Sequence, residues 1–156
     1  MNIFYLDSDI TQCARFHCDK HVVKMLLESA QLLCSVLWLH QIEAPYKPTH
    51  LKHPCVLWVN ESLSNWLWLK KLACALNEEY KYRFNHTYNH KSYDVILTLA
   101  LPPLVDHGLT KRPQALPDEF KQEDPIKAYR QYYKIRKRHL GHWSKRDIPD
   151  WFLEPN

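Results

Sequence analysis

The sequence predicts a mainly α protein, a single compact helical domain spanning residues 1–156, and three observations carry that prediction. Only two glycines, Gly108 and Gly141, occur in 156 residues, so tight β-hairpin turns have almost no place to form. From Phe16 to Leu39 the chain reads FHCDKHVVKMLLESAQLLCSVLWL, apolar on most sides at a helical period, as a buried helix is. Proline sits where helices start, at Pro54 and again at Pro125 behind Asp124. An apolar content of 46% is enough for a real core, and no repeat, low-complexity stretch or internal boundary divides the chain.

Taken in order, Asn2–Leu6 is a short extended segment, too brief to found a sheet. Asp7, Ser8 and Asp9 are good caps for a helix from about Ile10. That helix leads into the first long one, with a break near Cys18 or Asp19 and Asp19 as the cap of the longer helix. The long helix ends by Gln41, ahead of Pro45 and Pro48. A second long helix runs from Cys55 to about Arg83, with Leu57, Trp58, Trp66, Leu69, Leu72 and Leu76 on its apolar side. Asn60, Ser64, Lys71 and Glu78 form its wet side, and Glu61 and Asn65 lie on the border. Residues 85–91 are a polar loop. Ser92 caps a short helix to Leu101, which Pro102 and Pro103 stop. Residues 105–117 read as an irregular loop with a turn at Asp106-His107-Gly108. A C-terminal basic helix starts at Asp124-Pro125 and runs to about His139. The tail has no periodicity, but Trp143, Trp151 and Phe152 should fold back onto the helices, because an exposed apolar tail is costly.

The formal charge is +4, with Lys and Arg concentrated after Lys127. That asymmetry suits an anionic partner such as nucleic acid, although a solvated helix face produces it equally often. Five cysteines without a C-x-x-C pair fit a reduced protein. The opening MNIFYLDSD is not a signal peptide and no apolar run reaches membrane-spanning length. The expectation is a cytoplasmic protein with no membrane partner, in the host cytoplasm if the gene is viral. No Walker, G-x-G-x-x-G or G-x-S-x-G motif is present, which disfavours nucleotide kinases, Rossmann enzymes and α/β-hydrolases.

Chemistry concentrates on the first long helix. His17, His21, Lys24, Glu28, Gln31 and Ser35 recur at steps of three and four, forming a narrow polar stripe along an otherwise apolar rod. Polar groups on a buried helix need a partner or a ligand, so the stripe either lines a site or forms a buried structural network. In the first case Lys24 and Glu28 form an amine–carboxylate pair suited to imine chemistry, with His17 and His21 as acid and base. Lys20 lies close by. The connector KPTHLKHPC places Lys47, His50, His53 and Cys55 before the second helix. Its H-x-x-H-x-C spacing could supply metal ligands but matches no compact zinc template, so no metal is expected. His53 beside a helix N-terminus suits an anion such as phosphate. In the C-terminal helix Arg130, Lys134, Lys137 and Arg138 interleave with tyrosines, and Lys145 and Arg146 flank Trp143. Basic residues beside aromatic ones suit a phosphate backbone with unstacked bases; a solvated face with inward tyrosines is the plainer alternative.

The blocks HCDKHVVKMLLESAQLL, YKPTHLKHPC, PDEFK with AYRQYY, and WSKRDIPDWF resemble a family of small proteins from bacteriophages and large DNA viruses. Some of its members carry the description pyrimidine dimer DNA glycosylase, by similarity to small helical endonuclease V-type repair enzymes. The resemblance implies base extrusion, cleavage of the glycosidic bond through an imine with help from a carboxylate, and β-elimination. In those enzymes the nucleophile is the α-amine of a small residue exposed when the initiator Met is removed. Here position 2 is Asn, which usually leaves Met1 in place, so Lys24 or Lys20 would take the amine's role and Glu28 that of the carboxylate.

The leading expectation is therefore a DNA-acting enzyme, a base-excision glycosylase or lyase with Glu28, Lys24, His21 and His17 as its catalytic group and no cofactor. Lys20, Gln31, Lys47, His50, His53, Asn65 and the C-terminal cations would bind substrate. A metal-dependent hydrolase or nuclease built on the His/Cys cluster is one alternative. A non-enzymatic viral module binding a nucleic acid or nucleotide is another.

Overall fold

The apolar stretch becomes the central helix of the computed structural model, which describes residues 1–156. Seven α-helices form the protein: α1 (Ile10–Phe16), α2 (Asp19–Leu39), α3 (Pro54–Glu61), α4 (Leu63–Phe84), α5 (Lys91–Leu97), α6 (Pro125–Arg136) and α7 (Asp150–Leu153). Short 3₁₀ turns lie at Asp118–Phe120 and Arg138–Leu140, and there is no strand. α2 packs against α3, α4 and α5, while α1 lies on α4. A single cluster of 36 buried apolar residues takes members from every helix. By its mean hydropathy of 1.6, α2 is long and apolar enough to cross a membrane, contrary to the reading of the bare run; 67% of that window is buried, as in a core helix.

The break before α2 falls at His17 and Cys18, both with extended backbone. Cys18, not Asp19, is the N-cap, and its N–H donates to the Tyr133 hydroxyl at 2.9 Å. Asp19 instead takes hydrogen bonds from Ser144 N–H (2.9 Å), Ser144 Oγ (2.6 Å) and His142 Nδ1 (2.7 Å). His17 consequently leaves the helical stripe and enters the core.

The expected helix from Cys55 to Arg83 is interrupted at Ser62, whose backbone is extended (φ −154°, ψ 144°). Side-chain bonds outcompete the helix there. Ser62 Oγ donates to Asp106 at 3.2 Å and accepts the His107 N–H at 2.9 Å, while Asp106 also caps Ser64 through N–H and Oγ. The break moves Asn65 from the expected border into the interior. Its amide donates to Trp58 O (2.8 Å) and Thr110 Oγ1 (2.7 Å) and accepts from Thr110 N–H (3.1 Å). Asn65 is thereby a staple between α3, α4 and the 98–117 loop, fully buried and out of reach of a substrate.

That irregular loop is also fastened by Arg112. Its guanidinium sits 3.9 Å from the Trp68 ring centroid and 4.4 Å from those of Tyr5 and Trp58, a cation–π box that the sequence does not announce. The short helix after the polar loop starts from a His90 cap, not Ser92, with His90 Nδ1 accepting the Ser92 N–H, and it ends at Leu97. The C-terminal basic helix begins at Pro125 behind its Asp124 cap as predicted, but ends at Arg136. Trp143, Trp151 and Phe152 are buried, so the tail does fold back. All five cysteines are free thiols, four of them buried.

One buried ion network sews these pieces together. Arg83 is fully buried and reaches three elements, donating to Glu79 (3.0 Å), to His17 O (2.7 Å), to Arg15 O (2.9 Å) and to Asp19 (3.2 Å). Glu79 also receives Arg146 at 3.0 and 2.8 Å. Burial pushes both carboxyls up, but the bonds from Ser144, His142 and Arg83 on Asp19, and from Arg146 and Arg83 on Glu79, outweigh it and hold each below its ordinary range.

Burial, above all, drives His17 down to about 4 and His21 to about 3 from 6.5, so both imidazoles are neutral in the native protein. All four groups bind protons more readily once unfolded. Stability is therefore complete above about pH 6.5 and falls as acid titrates the unfolded chain, down through the native values. A urea midpoint that falls steadily from pH 7 to pH 4.5 is expected; an unchanged midpoint over that window would contradict the assignment. Arg83→Met should destabilise the fold by about 3–5 kcal/mol, because it strands Glu79 and Asp19 against a dry interior. Chemical denaturation measures that loss directly.

Candidate active site

Glu28 sits in the middle of α2, buried, on a helix whose buried residues are mostly apolar. A carboxylate so placed requires a cation or several donors. It finds them at the start of the chain, not on its own helix. The Met1 ammonium lies 3.2 Å from Glu28 Oε1, and the Asn2 N–H donates to the same oxygen at 3.1 Å. Oε2 accepts no hydrogen bond from the protein. The pairing of Glu28 with Lys24 expected from their spacing does not form. Lys24 is exposed and lies beside Lys20, Asp19, Val23 and Phe84 on a shallow outer groove. Lys24 stands one turn from Glu28 on the same stripe but remains exposed, and the amine that meets the carboxylate is the α-amine.

The N-terminus is held there by Asn2. Its Oδ1 accepts from the Tyr129 hydroxyl at 2.8 Å and from Ile3 N–H at 2.8 Å, with the Cys55 thiol 3.8 Å away. Its Nδ2 donates to Ala115 O at 3.1 Å. Tyr129 is completely buried and also receives the Ala115 N–H at 3.2 Å. Burial drives the Tyr129 hydroxyl well up and the Cys55 thiol up to about 11, so both are neutral and Tyr129 remains a donor. Behind Asn2, Ile3, Phe4 and Leu6 are buried, anchoring the extended segment in the core.

His53 completes the cluster. It is the N-cap of α3, its Nδ1 accepting the Cys55 N–H at 3.1 Å, which leaves the proton on Nε2. Burial lowers its pKa, and the N-terminal ammonium and His50 lower it further, whereas Glu28 and the Met1 main chain pull the other way. His53 is therefore neutral and close to both partners. A carboxylate with a free oxygen, an amine and a neutral imidazole side by side form a group with the chemistry to attack and to move protons.

His17 and His21 do not join this group as acid and base. His17 donates from Nδ1 to Cys13 O at 2.7 Å and His21 stacks on Phe4 with ring centroids 4.5 Å apart; both are sealed in the interior as neutral rings. Gln31 and Lys47 lie on a groove with Leu27 and Tyr46, one turn along α2 from Glu28. His50 is exposed and bonded to Thr49 Oγ1 at 2.6 Å, in a left-handed backbone (φ 50°). His50, His53 and Cys55 do not converge: no three His, Cys, Asp or Glu side chains in the protein could share a metal ion.

Of the C-terminal cations, four are committed to the protein itself. Arg130 binds Leu6 O (2.8 Å) and Asp7 (2.9 Å), Lys134 is buried on Pro155 O (3.2 Å), and Arg146 is paired with Glu79. Lys145 donates to Tyr82 O at 3.0 Å and to Asn85 Oδ1. Arg138 is exposed and Lys137 half-buried against Tyr132, so these two keep charge for a polyanion. A cavity of about 580 Å³ lies between Arg15, Arg130 and Arg146 on one hand and Asp147, Asp150 and Glu154 on the other. Its balanced charge and lack of any residue from the Glu28 group set it apart from the site.

Sequence reasoning found Glu28 and His53 but missed Met1, Asn2 and Tyr129. The available signal was a polar Asn2 ahead of a buried apolar run, together with a buried carboxylate lacking a cation.

A family model described as pyrimidine dimer DNA glycosylase matches residues 1–92, which include Met1, Asn2, Glu28, His53 and Cys55. No curated protein and no solved structure matches the chain. With more than half of its length so matched, the chain belongs to the pyrimidine dimer DNA glycosylase family, whose substrate is DNA.

Proposed function

We propose that this protein excises a damaged pyrimidine from DNA with its N-terminal α-amine as nucleophile and Glu28 as the assisting carboxylate, and then cleaves the strand as a lyase. The carrying observation is the 3.2 Å contact between that amine and Glu28 in a buried setting. The amine gives up a proton and attacks C1′ of the deoxyribose, the glycosidic bond breaks, and the base departs with a proton. Glu28 faces the developing positive charge on the sugar and takes the proton that the amine sheds. Opening of the ring gives an imine, β-elimination expels the 3′ phosphate, and water releases the amine. His53 is the nearest neutral group for the proton transfers.

The arrangement does not depend on whether Met1 is kept. Met1 N and Asn2 N lie 3.2 and 3.1 Å from the same Oε1, so excision of Met1 leaves the Asn2 amine at the same carboxylate. Lys24 stays exposed and is not needed as a substitute.

Borohydride trapping on duplex DNA with a single abasic site tests the assignment. The intact protein should form a covalent adduct whose DNA-bearing peptide is the N-terminal one. Acetylation or a short N-terminal extension should abolish it, whereas Lys24→Ala should retain it. An adduct mapped to Lys24 or Lys20 would reverse the assignment. Glu28→Gln should lower base excision by about 100-fold or more, in the range of a lost acid–base or charge-stabilising group, with DNA binding retained. Tyr129→Phe removes the bond that fixes Asn2 and should slow trapping by about 10-fold, the scale of one lost hydrogen bond. A wild-type trapping rate with a lowered melting temperature would make Tyr129 purely structural.

A further inference from the structure

The C-terminal end of α4 carries a column of rings that the proposed chemistry does not use. Tyr80 stands one turn before the end of the helix, and His86 and Tyr88 belong to the polar loop that follows. The His86 imidazole stacks on both phenols, its centroid 4.7 Å from that of Tyr80 and 4.7 Å from that of Tyr88, inclined by 34° and 33°. These are the separations of offset stacking. The loop holds the column firmly. Asn85 closes α4 in the left-handed region (φ 55°), and His86 N–H donates to Lys81 O at 3.0 Å. Asn77 clamps the far side of the loop, accepting His90 N–H at 3.0 Å and donating to Asn89 Oδ1 at 2.9 Å.

The column ends in the open. Tyr88 is 60% exposed, and His86 is the one ring that stacks on it. The other exposed tyrosine of this region, Tyr82, is already occupied: the Arg146 guanidinium lies 4.3 Å and the Lys145 ammonium 5.2 Å from its ring centroid. Through Phe84 the column runs into the outer groove of α2. Phe84 is 5.8 Å from Tyr80 and 6.4 Å from His86, and it lines that groove with Lys20, Val23 and Lys24. The one carboxylate there, Asp19, is committed to Arg83, Ser144 and His142. Lys20 and Lys24 are exposed, one helical turn apart and paired with no carboxylate, so the groove presents positive charge.

Uncommitted ammonium groups beside a rigid ring column with an open face are what an unpaired strand requires: the cations take phosphates and the flat side chains take bases. A base inside a duplex is already stacked on its neighbours, so the open face of Tyr88 selects an unpaired one. We propose that this face, from Lys20 and Lys24 to Tyr88, binds single-stranded DNA, with a base stacked on Tyr88 and phosphates of the same strand on the two lysines. The proposal rests on DNA as the ligand of this family and not on the amine chemistry. No bond is made or broken here; the face holds a strand on the same helix that carries Glu28.

Fluorescence anisotropy with three labelled probes of equal length tests it: an oligothymidylate, a strand made only of abasic sites, and a duplex. The wild type should bind the oligothymidylate more tightly than the abasic strand. Tyr88→Ala should weaken the oligothymidylate about 10-fold, the scale of one lost base–ring stack, and leave the abasic strand and the duplex as they were. Tyr88→Trp, which keeps a flat ring, should restore the affinity. Lys20→Ala and Lys24→Ala should weaken both single strands and each reduce the slope of log affinity on log salt by about 0.7, the value for one phosphate contact on a single strand. Equal binding of the two single strands by the wild type, or a Tyr88→Ala loss shared by the abasic strand or the duplex, would overturn the stacking assignment. Unchanged salt slopes in both lysine variants would overturn the phosphate assignment. An oligouridylate bound more tightly than the oligothymidylate would give the face to RNA instead. Borohydride trapping by the wild type, run in parallel, separates the two proposals: trapping without oligothymidylate binding sinks the strand face alone, and binding without trapping sinks the amine mechanism alone.

Discussion

A carboxylate buried inside an apolar helix constrains the whole architecture. Glu28 cannot remain ionised in the core without a cation, and its own helix does not supply one: the nearest lysine by sequence points into solvent. The chain meets the requirement by threading its first six residues into the interior so that the α-amine lands on Glu28. Asn2 then has to be held, and Tyr129 of α6 and Ala115 of the long loop hold it. The N-terminal segment, the central helix, the loop and the C-terminal helix are thus locked around one ion pair.

A second buried carboxylate shows what a purely structural solution looks like. Glu79 is saturated: Arg83 and Arg146 occupy its two oxygens, and Arg83 has further carbonyl partners. Glu28 keeps an oxygen with no protein donor and sits beside a neutral imidazole and a neutral thiol. The contrast separates a carboxylate whose partners are complete from one with an unfilled acceptor oxygen, and the two lie on a pair of packed helices, α4 and α2.

The cations tell a similar story. A C-terminal helix rich in Lys and Arg reads as an electrostatic footprint, yet Arg130, Lys134 and Arg146 are occupied with Leu6 and Asp7, Pro155 and Glu79. The charges still free for a polyanion near the site are on the outer face of α2 and on the connector, at Lys20, Lys24 and Lys47. Charge counted along a chain does not distinguish a cation facing solvent from one folded into a pair, since only the packing partner decides which it is.

Much of the fold was legible beforehand because local chemistry is local. The near absence of glycine, the apolar period of α2, the Pro54 and Asp124-Pro125 starts and the aromatic tail each depend on neighbours within a few residues. The breaks at His17–Cys18 and at Ser62 were less so: partners more than 40 residues away decide them, Asp106 at Ser62, and Arg83 and Ser144 at His17 and Asp19. The candidate site divides along the same line. Glu28 stood out as a carboxylate in an apolar rod, which periodicity alone reveals. That its cation is the α-amine, that His17 and His21 are sealed neutral rings, and that Asn65 is a staple were decided by the tertiary structure, because burial and pairing are properties of what the chain packs against.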